Sequence, residues 1–179
     1  FSGHTNGTMG SAINGNGSPV IISNSFSGER GYFVLNIAGG HSIIRDNVIM
    51  DNIGGLYLAG QNVQFEHNLV AGNRRWCSQP SCESGVMLSV SAGVVQSNTI
   101  IHNERYGIGF GSSQGTLTIR HNNLFANGQY DLYVSTGNAG TQNFIVDATD
   151  NFWNIDASQI PGRIRDCTFD DNGCGTASS

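Results

Sequence analysis

The chain has 179 residues and a formal net charge of −5, with eight arginines, no lysine and only 12% charged residues. This length suits one domain with a real core, and no apolar run approaches the 18 residues of a membrane span. The acidic balance argues against a general nucleic-acid binder, which would carry a basic face. Because the sequence opens with Phe1 and shows no leader, we expect a processed chain or a piece of a longer one.

A short motif recurs from the first third of the chain onward. An apolar residue, two further residues, an asparagine, one residue and a second apolar residue make up each copy. The copies begin at Ile21, Ile44, Phe65, Val95 and Ile119, and their asparagines are Asn24, Asn47, Asn68, Asn98 and Asn122, followed by Asn151. In four copies a trailing asparagine follows, at Asn52, Asn73, Asn103 and Asn127. The period is about 22 residues with two insertions, which indicates a repeat architecture.

Each copy continues with a small or acidic residue and a second apolar cluster, at Tyr32–Val34, Leu56–Leu58, Val86–Leu88, Ile108–Phe110 and Leu132–Val134. Short strands with no room for a crossover helix predict an all-β, single-stranded parallel β-helix of about six coils. Successive coils of such a fold are about 4.8 Å apart, so equivalent residues form columns. We expect core columns at the apolar positions and structural asparagines at the corners, where asparagine tolerates a left-handed backbone and bonds its neighbours.

These coils resemble the right-handed parallel β-helix repeats of pectate-lyase-like proteins. Phe1-Ser2-Gly3 repeats as Phe26-Ser27-Gly28, and Gly10-Ser11-Ala12-Ile13 resembles related surface-protein repeats. Asn151-Phe152-Trp153-Asn154 resembles the closing segment of bacterial secreted β-helices. The resemblance implies a right-handed helix over residues 1–153 and a C-terminal cap and tail at 154–179. The alignment of the copies indicates a loop insertion at about 74–84. The catalytic signatures of the best-known enzymes of this fold are not found in the sequence, which leaves catalysis open.

Four cysteines form two close pairs, Cys77 with Cys82 and Cys167 with Cys174. Neither spacing is typical of a zinc site, so we expect two local disulfides. Disulfides indicate an oxidising compartment, and the predicted location is therefore extracellular, periplasmic or at the cell surface. Four reduced structural thiols are the alternative.

One candidate surface is the strand that enters the first asparagine corner. Its outward residues include Arg45, Glu66, His67 and Arg120. An acid, a base and a cation in proximity are what a polysaccharide lyase or a glycoside hydrolase would need. Alternating charges one coil apart are also typical of a solvated ladder of weak ion pairs, and we favour that interpretation.

The second candidate surface is the turn after the trailing asparagine, an edge rich in arginines and aromatic residues. Its members are Arg30, Arg74, Arg75, Trp76, Arg105, Tyr106 and Tyr130. Guanidinium groups bind carboxylates or sulfates, and aromatic faces pack on sugar rings. We therefore predict an acidic polysaccharide as the partner at this edge. An ordinary decorated loop is the alternative.

No cofactor is expected. Ca²⁺ is the one metal that the sequence leaves open, at Asp147, Asp150 and Asp156 or at Asp166, Asp170 and Asp171, although turn and cap roles are favoured for these residues. The first coil has no evident cover, which predicts self-association through it. A non-catalytic structural or adhesin-like segment of a larger surface protein is the rival hypothesis to polysaccharide binding.

Overall fold

The computed structural model describes residues 11–77, 84–111, 114–135 and 143–167. Nearly all the regular structure is strand. The strands are β1 (Ile13–Asn16), β2 (Val20–Ile22), β3 (Ser25–Ser27), β4 (Arg30–Ala38), β5 (His41–Arg45), β6 (Val48–Met50), β7 (Ile53–Glu66), β8 (Leu69–Ala71), β9 (Val86–Gln96), β10 (Thr99–Ile101), β11 (Tyr106–Gly111), β12 (Gln114–Arg120), β13 (Asn123–Phe125), β14 (Tyr130–Ser135), β15 (Asn143–Asp147) and β16 (Ile164–Asp166). A 3-10 helix, Ala157–Arg163, precedes β16.

Every strand pairs in parallel with a strand one coil away, and the pairings define three faces of a helix of strands. The first face follows the order β1, β4, β7, β9, β11, β14, β16. The second joins β2, β5, β7, β9, β12 and β15, and the third runs through β3, β6, β8, β10 and β13. The long strands β7 and β9 bend and belong to both the first and the second face. The prediction of an all-β parallel β-helix is confirmed.

The interior is made of the apolar columns that the repeat predicts. Ile44, Phe65, Val95 and Ile119 are fully buried, and so are Phe26, Ile49, Val70, Ile100 and Leu124. Parallel register places each residue of a column directly against its equivalent in the next coil, as Ile44 against Phe65 and Phe65 against Val95. Burial of these columns is the main favourable free-energy term of the fold.

Two asparagine ladders run along the corners on either side of the third face. In the first, the backbone N and Nδ2 of each asparagine donate to Oδ1 of the asparagine in the next coil, as from Asn47 to Asn68 at 3.0 and 2.9 Å. The same Nδ2 also donates to a backbone carbonyl, that of Ile21 in the case of Asn47. The second ladder repeats the pattern from Asn52 to Asn73, Asn103 and Asn127. The predicted structural role of the asparagines is confirmed.

The backbone at these corners differs from the prediction. The left-handed residue is the one before each ladder asparagine: Ser23, Asp46, Asp51, His67, Ser97, His102, His121, Ala126 and Asp150 have φ between 55° and 58°. The backbone of each asparagine must direct its side-chain amide along the ladder. The preceding residue therefore makes the turn, at a backbone strain that aspartate and histidine tolerate better than most residues.

The register of the first copy also differs from the sequence alignment, which placed Val34 opposite Leu58. The structure pairs Leu35 with Leu56 and Ile37 with Leu58. Two register shifts, between Arg30 and Phe33 and between Phe33 and Leu35, accommodate two extra residues in β4. The later copies keep the predicted alignment, as Phe110 with Leu88 and Val134.

At the C-terminal end, β16 pairs with β14 and the 3-10 helix contains Pro161. The cap boundary at 154, the coil count and the loop insertion stay predictions. Cys77 and Cys167 are not free thiols, but Cys82 and Cys174 lie outside the described residues, so the disulfide pairing is a prediction too. Residues 1–10 also lie outside them, so the structure does not test self-association through the first coil. No helix in the described ranges is long and apolar enough to cross a membrane.

Candidate functional site

The outward residues of the second face form a column, as predicted, but their side chains do not converge on one point. Arg45, Glu66, Gln96 and Arg120 pair in register across four coils. Glu66 Oε1 accepts from Gln96 Nε2 at 2.9 Å. Arg45 pairs with its own neighbour Asp46 at 3.1 Å instead of with Glu66.

Arg120 at the far end of this column binds Asp147 in the next coil. The hydrogen bond from Arg120, and after it those from Thr149, lower the pKa of Asp147 from 3.8 to about 2. The hydrogen bond to Asp147 also raises the pKa of Arg120. His67 is an exposed corner residue with a left-handed backbone. Each charged group of the column thus has a local partner, as in a solvated ladder.

Asp147 is poorly suited to Ca²⁺, because its carboxylate already accepts from Arg120 and from Thr149 Oγ1, the latter at 2.8 Å. Across the part of the chain that the structure describes, no group of three histidine, cysteine, aspartate or glutamate side chains is placed to hold a metal ion. Asp170 and Asp171 lie outside that part.

The arginine-rich edge lies at the corner that joins the third face to the first, beside the second asparagine ladder. The residues directly after the ladder form a column of Arg30, Ile53 and Arg74, in which Ile53 pairs with both arginines. Because two strand spacings separate coils one and three, the Cα atoms of Arg30 and Arg74 are roughly 10 Å apart. The repeat thus places two arginines of the predicted set on one line.

A groove follows this column on the outer surface, and we refer to it as the corner groove. Two adjoining depressions that share Asp51, Gly72 and Arg74 form it. Its other lining residues are Gly28, Glu29, Arg30, Asn52, Ile53, Asn73, His102 and Glu104. One wall is the column of Arg30, Ile53 and Arg74, and the opposite wall is the column of residues that precede the ladder asparagines.

The arginines of the edge differ in whether another side chain already contacts their guanidinium group. Arg75 donates to Glu104 through its Nε at 3.2 Å and through its backbone N at 2.9 Å. Arg105 lies over the ring of Tyr106, 4.3 Å from the ring centroid. The side chains of Arg30 and Arg74 form no hydrogen bond, ion pair or ring contact with any residue that the structure describes. Both are exposed, so the positive charge of the groove is concentrated on them.

The aromatic residues of the edge do not form one open surface. Tyr106 is only 4% exposed, because its ring stacks on Tyr133 at 4.3 Å and Arg105 covers it. Tyr130 and Trp76 are partly exposed. The sequence placed Tyr106 in the binding set, but its ring is buried in the first face against Tyr133.

The sequence analysis missed Asp51, Ile53, His102 and Glu104 as lining residues. A signal for two of them was present, since Asp51 and His102 occupy the position before a trailing asparagine, which Gly28 and Gly72 occupy in other coils. Reading that position as a column would have placed both side chains opposite the arginines.

Comparison with known proteins agrees with this architecture. No curated protein and no solved structure matches the chain significantly. A family model described as "right handed beta helix region" matches residues 5–150. Its match covers most of the chain, and the parallel pairing of the three faces is the arrangement that its description implies. The chain therefore belongs to the right-handed β-helix family.

Proposed function

We propose that this β-helix is an extracytoplasmic module that binds an acidic polysaccharide in the corner groove. The observation that carries the proposal is that two guanidinium groups without a partner among the described residues, those of Arg30 and Arg74, line one groove of an otherwise acidic protein. An arginine with no internal carboxylate partner favours an external one, and its planar fork can bind a carboxylate or sulfate through two parallel hydrogen bonds.

The remaining edge residues flank this pair. Arg75 is neutralised by Glu104, so we assign it a smaller share of the affinity. Trp76, Arg105 and Tyr130 stay in the proposed binding set as partly exposed neighbours, whereas Tyr106 leaves it because of its burial. The two cysteine pairs of the sequence support an oxidising compartment, in which extracellular and cell-surface polysaccharides occur.

Cleavage of the polysaccharide is a separate prediction. The candidates Arg45, Glu66, His67 and Arg120 lie on the second face, away from the corner groove, and the two outer cations of that set have carboxylate partners. If the second face is catalytic, Glu66→Gln will abolish turnover of a bound polymer and preserve binding. If that face is a ladder only, the variant and the wild-type protein will both release no product.

Native affinity electrophoresis tests the proposal. The protein is run through gels that contain polygalacturonate, alginate, a sulfated glycan or a neutral glucan. We expect retardation by an acidic polymer and none by the neutral glucan, with weakening at higher salt because exposed charges are screened. Arg30→Ala/Arg74→Ala should lose most of the retardation, on the order of 100-fold in dissociation constant if each arginine contributes about 1.5 kcal/mol, the lower end for hydrogen bonds to charged groups.

The charge-matched comparison is Arg45→Ala/Arg120→Ala, which removes two positive charges from the second face. Retention of binding in this variant and loss in the first would place the site in the corner groove. The reverse pattern would place it on the second face, and unchanged mobility of the wild-type protein in every gel would refute the proposal.

A non-catalytic structural or adhesin-like segment of a larger surface protein is the second candidate. The observation that favours it is the use of buried polar side chains for stacking. Ladder residues Asn52, Asn73, Asn103 and Asn127 are at most 3% exposed, and their amides donate to the next ladder residue and to backbone carbonyls. Such a role needs no ligand, and it gains support if no gel retards the protein.

A further inference from the structure

Asp51 is a carboxylate of the corner groove that is paired with no arginine in the described ranges. Asp51 lines the same depression as Arg30 and Arg74. Its side chain forms no hydrogen bond and no ion pair with any residue in the described ranges. A free carboxylate at a site for anions needs an explanation, because it repels the ligand that the arginines attract.

The position of Asp51 is fixed by the backbone. Its φ is 57°, in the left-handed region, and it belongs to the coil between those of Arg30 and Arg74. A Cβ added at Gly72 would come within 2.7 Å of Asp51 Oδ1. The carboxylate therefore lies over Gly72, along the groove and toward the next coil, and the absence of a side chain at residue 72 leaves the space for it.

The chemistry of a carboxylate limits what can lie against it. An ionised carboxylate only accepts hydrogen bonds. A ligand that covers Asp51 without donating to it removes water from the carboxylate and leaves the charge unsatisfied, which is unfavourable. A ligand with hydroxyl groups beside its acidic groups can donate to Asp51 while its acidic groups bind the arginines.

We infer that Asp51 makes the corner groove selective for acidic sugar units that carry free hydroxyl groups, as in a polyuronide. It disfavours polyanions that have no hydrogen-bond donor. This inference rests on the proposed function, and it names the ligand class and the residue that selects it. Arg30 and Arg74 bind acidic groups that recur at about two coil spacings, roughly 10 Å. The intervening Ile53 contacts the unit between them, and Asp51 accepts from a hydroxyl.

The test compares two ligands and three proteins. An oligogalacturonate and an inorganic polyphosphate of equal charge are titrated calorimetrically at one ionic strength. The wild-type protein should bind the oligogalacturonate about tenfold more tightly, the size expected for one hydrogen bond to a charged group. Asp51→Asn should bind polyphosphate several-fold more tightly than the wild type and lose most of the preference. Asparagine suits this position because it tolerates a left-handed backbone.

Asp46→Asn is the matched control. Asp46 has φ 58° and an exposed carboxylate, but it lies at the other ladder, next to Arg45. This variant should keep both wild-type affinities. Asp51→Gly provides a second variant in case the asparagine perturbs the turn, because glycine already occupies the equivalent positions 28 and 72.

The outcomes separate the two proposals. If the wild type binds both ligands and neither Asp51 variant changes the ratio of affinities, the selective role of Asp51 is refuted and the proposed function stands. If the wild type binds neither ligand, this inference is refuted, and the proposed function is then decided by the gels with alginate and the sulfated glycan. A lost preference in the Asp51 variants, with Asp46→Asn unchanged, supports both.

Discussion

The Asp131 carboxylate takes the place of the next asparagine in the second ladder. Its Oδ1 accepts from the backbone N and Nδ2 of Asn127 at 3.1 and 2.8 Å, and its Oδ2 accepts from Arg163 Nε at 2.7 Å. Arg163 also donates to the carbonyl of Asn127, and Asp131 is only 1% exposed. The ladder thus ends in a buried charge that one arginine of the 3-10 helix compensates.

Removal of Arg163 should therefore destabilise the protein, and a second substitution at Asp131 should restore part of the lost stability. We expect Arg163→Ala to lower the free energy of unfolding by about 2–4 kcal/mol, because it leaves a buried carboxylate without its counter-charge. Adding Asp131→Asn should restore part of the loss, since a neutral Oδ1 accepts from Asn127 as in the preceding coils. Urea unfolding measures both, and a double variant no more stable than Arg163→Ala would contradict this account. Arg45→Ala, at an exposed pair, should change stability by less than about 1 kcal/mol.

Asn98 lies in the middle of the first ladder and is 1% exposed. It accepts from Asn68 and donates to Asn122 and to the carbonyl of Phe65. We predict that Asn98→Ala lowers the free energy of unfolding by about 3–5 kcal/mol, because several buried polar groups lose their partners at roughly 1–3 kcal/mol each. Asn123→Ala is the control, since the side chain of exposed Asn123 donates to Thr99 and to no other residue in the described ranges. Equal losses in thermal or urea unfolding would argue against the ladder as a stabilising element.

The ion pair of Arg120 and Asp147 predicts a pH effect. The pKa of Asp147 is lowered from 3.8 to about 2, first by the hydrogen bond from Arg120 and then by Thr149. A carboxyl with a lower pKa in the folded state contributes stability that is present above about pH 4 and is lost as the pH falls toward 2. NMR titration of the Asp147 carboxyl should show this pKa, and Arg120→Ala should return it toward 3.8. An unchanged pKa in that variant would show that Arg120 is not the cause.

Gly85 tests how closely the coils pack. A Cβ at this residue would lie 2.2 Å from the carbonyl oxygens of both Tyr106 and Gly107, which are backbone atoms and cannot rotate away. Gly85→Ala should therefore lower the free energy of unfolding by about 2–3 kcal/mol or more. At Gly162 no atom of the described residues lies within 4 Å of an added Cβ, so Gly162→Ala should be neutral within about 0.5 kcal/mol. Similar melting temperatures for the two variants would disprove the close approach at Gly85.

The parallel β-helix could be predicted from the sequence because the apolar and asparagine positions within each copy agree with the spacing of the copies. Each copy has an apolar residue, such as Phe65 or Val95, three positions before its asparagine. This spacing determines which side chains face inward, and parallel stacking then brings the equivalent residues of successive coils together. The register of β4 was not predictable, because the two extra residues between Arg30 and Leu35 can be accommodated at several points of a bulged strand.

The candidate site was predictable only in part. The column of Arg30 and Arg74 follows from the repeat, and so does its place beside the asparagine ladder. The repeat does not predict the partners of individual side chains, because these partners come from neighbouring coils. Arg75 forms an ion pair with Glu104, and the ring of Tyr106 stacks on Tyr133. Such pairings depend on side-chain rotamers, which the alignment of the repeats does not specify.

The most direct test of the binding account is an NMR titration of the ¹⁵N-labelled chain, whose 19.0 kDa suits the method, with an oligogalacturonate. The account predicts that the amide signals of Arg30, Asp51, Ile53 and Arg74 shift in a saturable way, while those of Arg45, Glu66 and Arg120 do not. Saturable shifts confined to the second face, or no shifts at any ligand concentration, would contradict it.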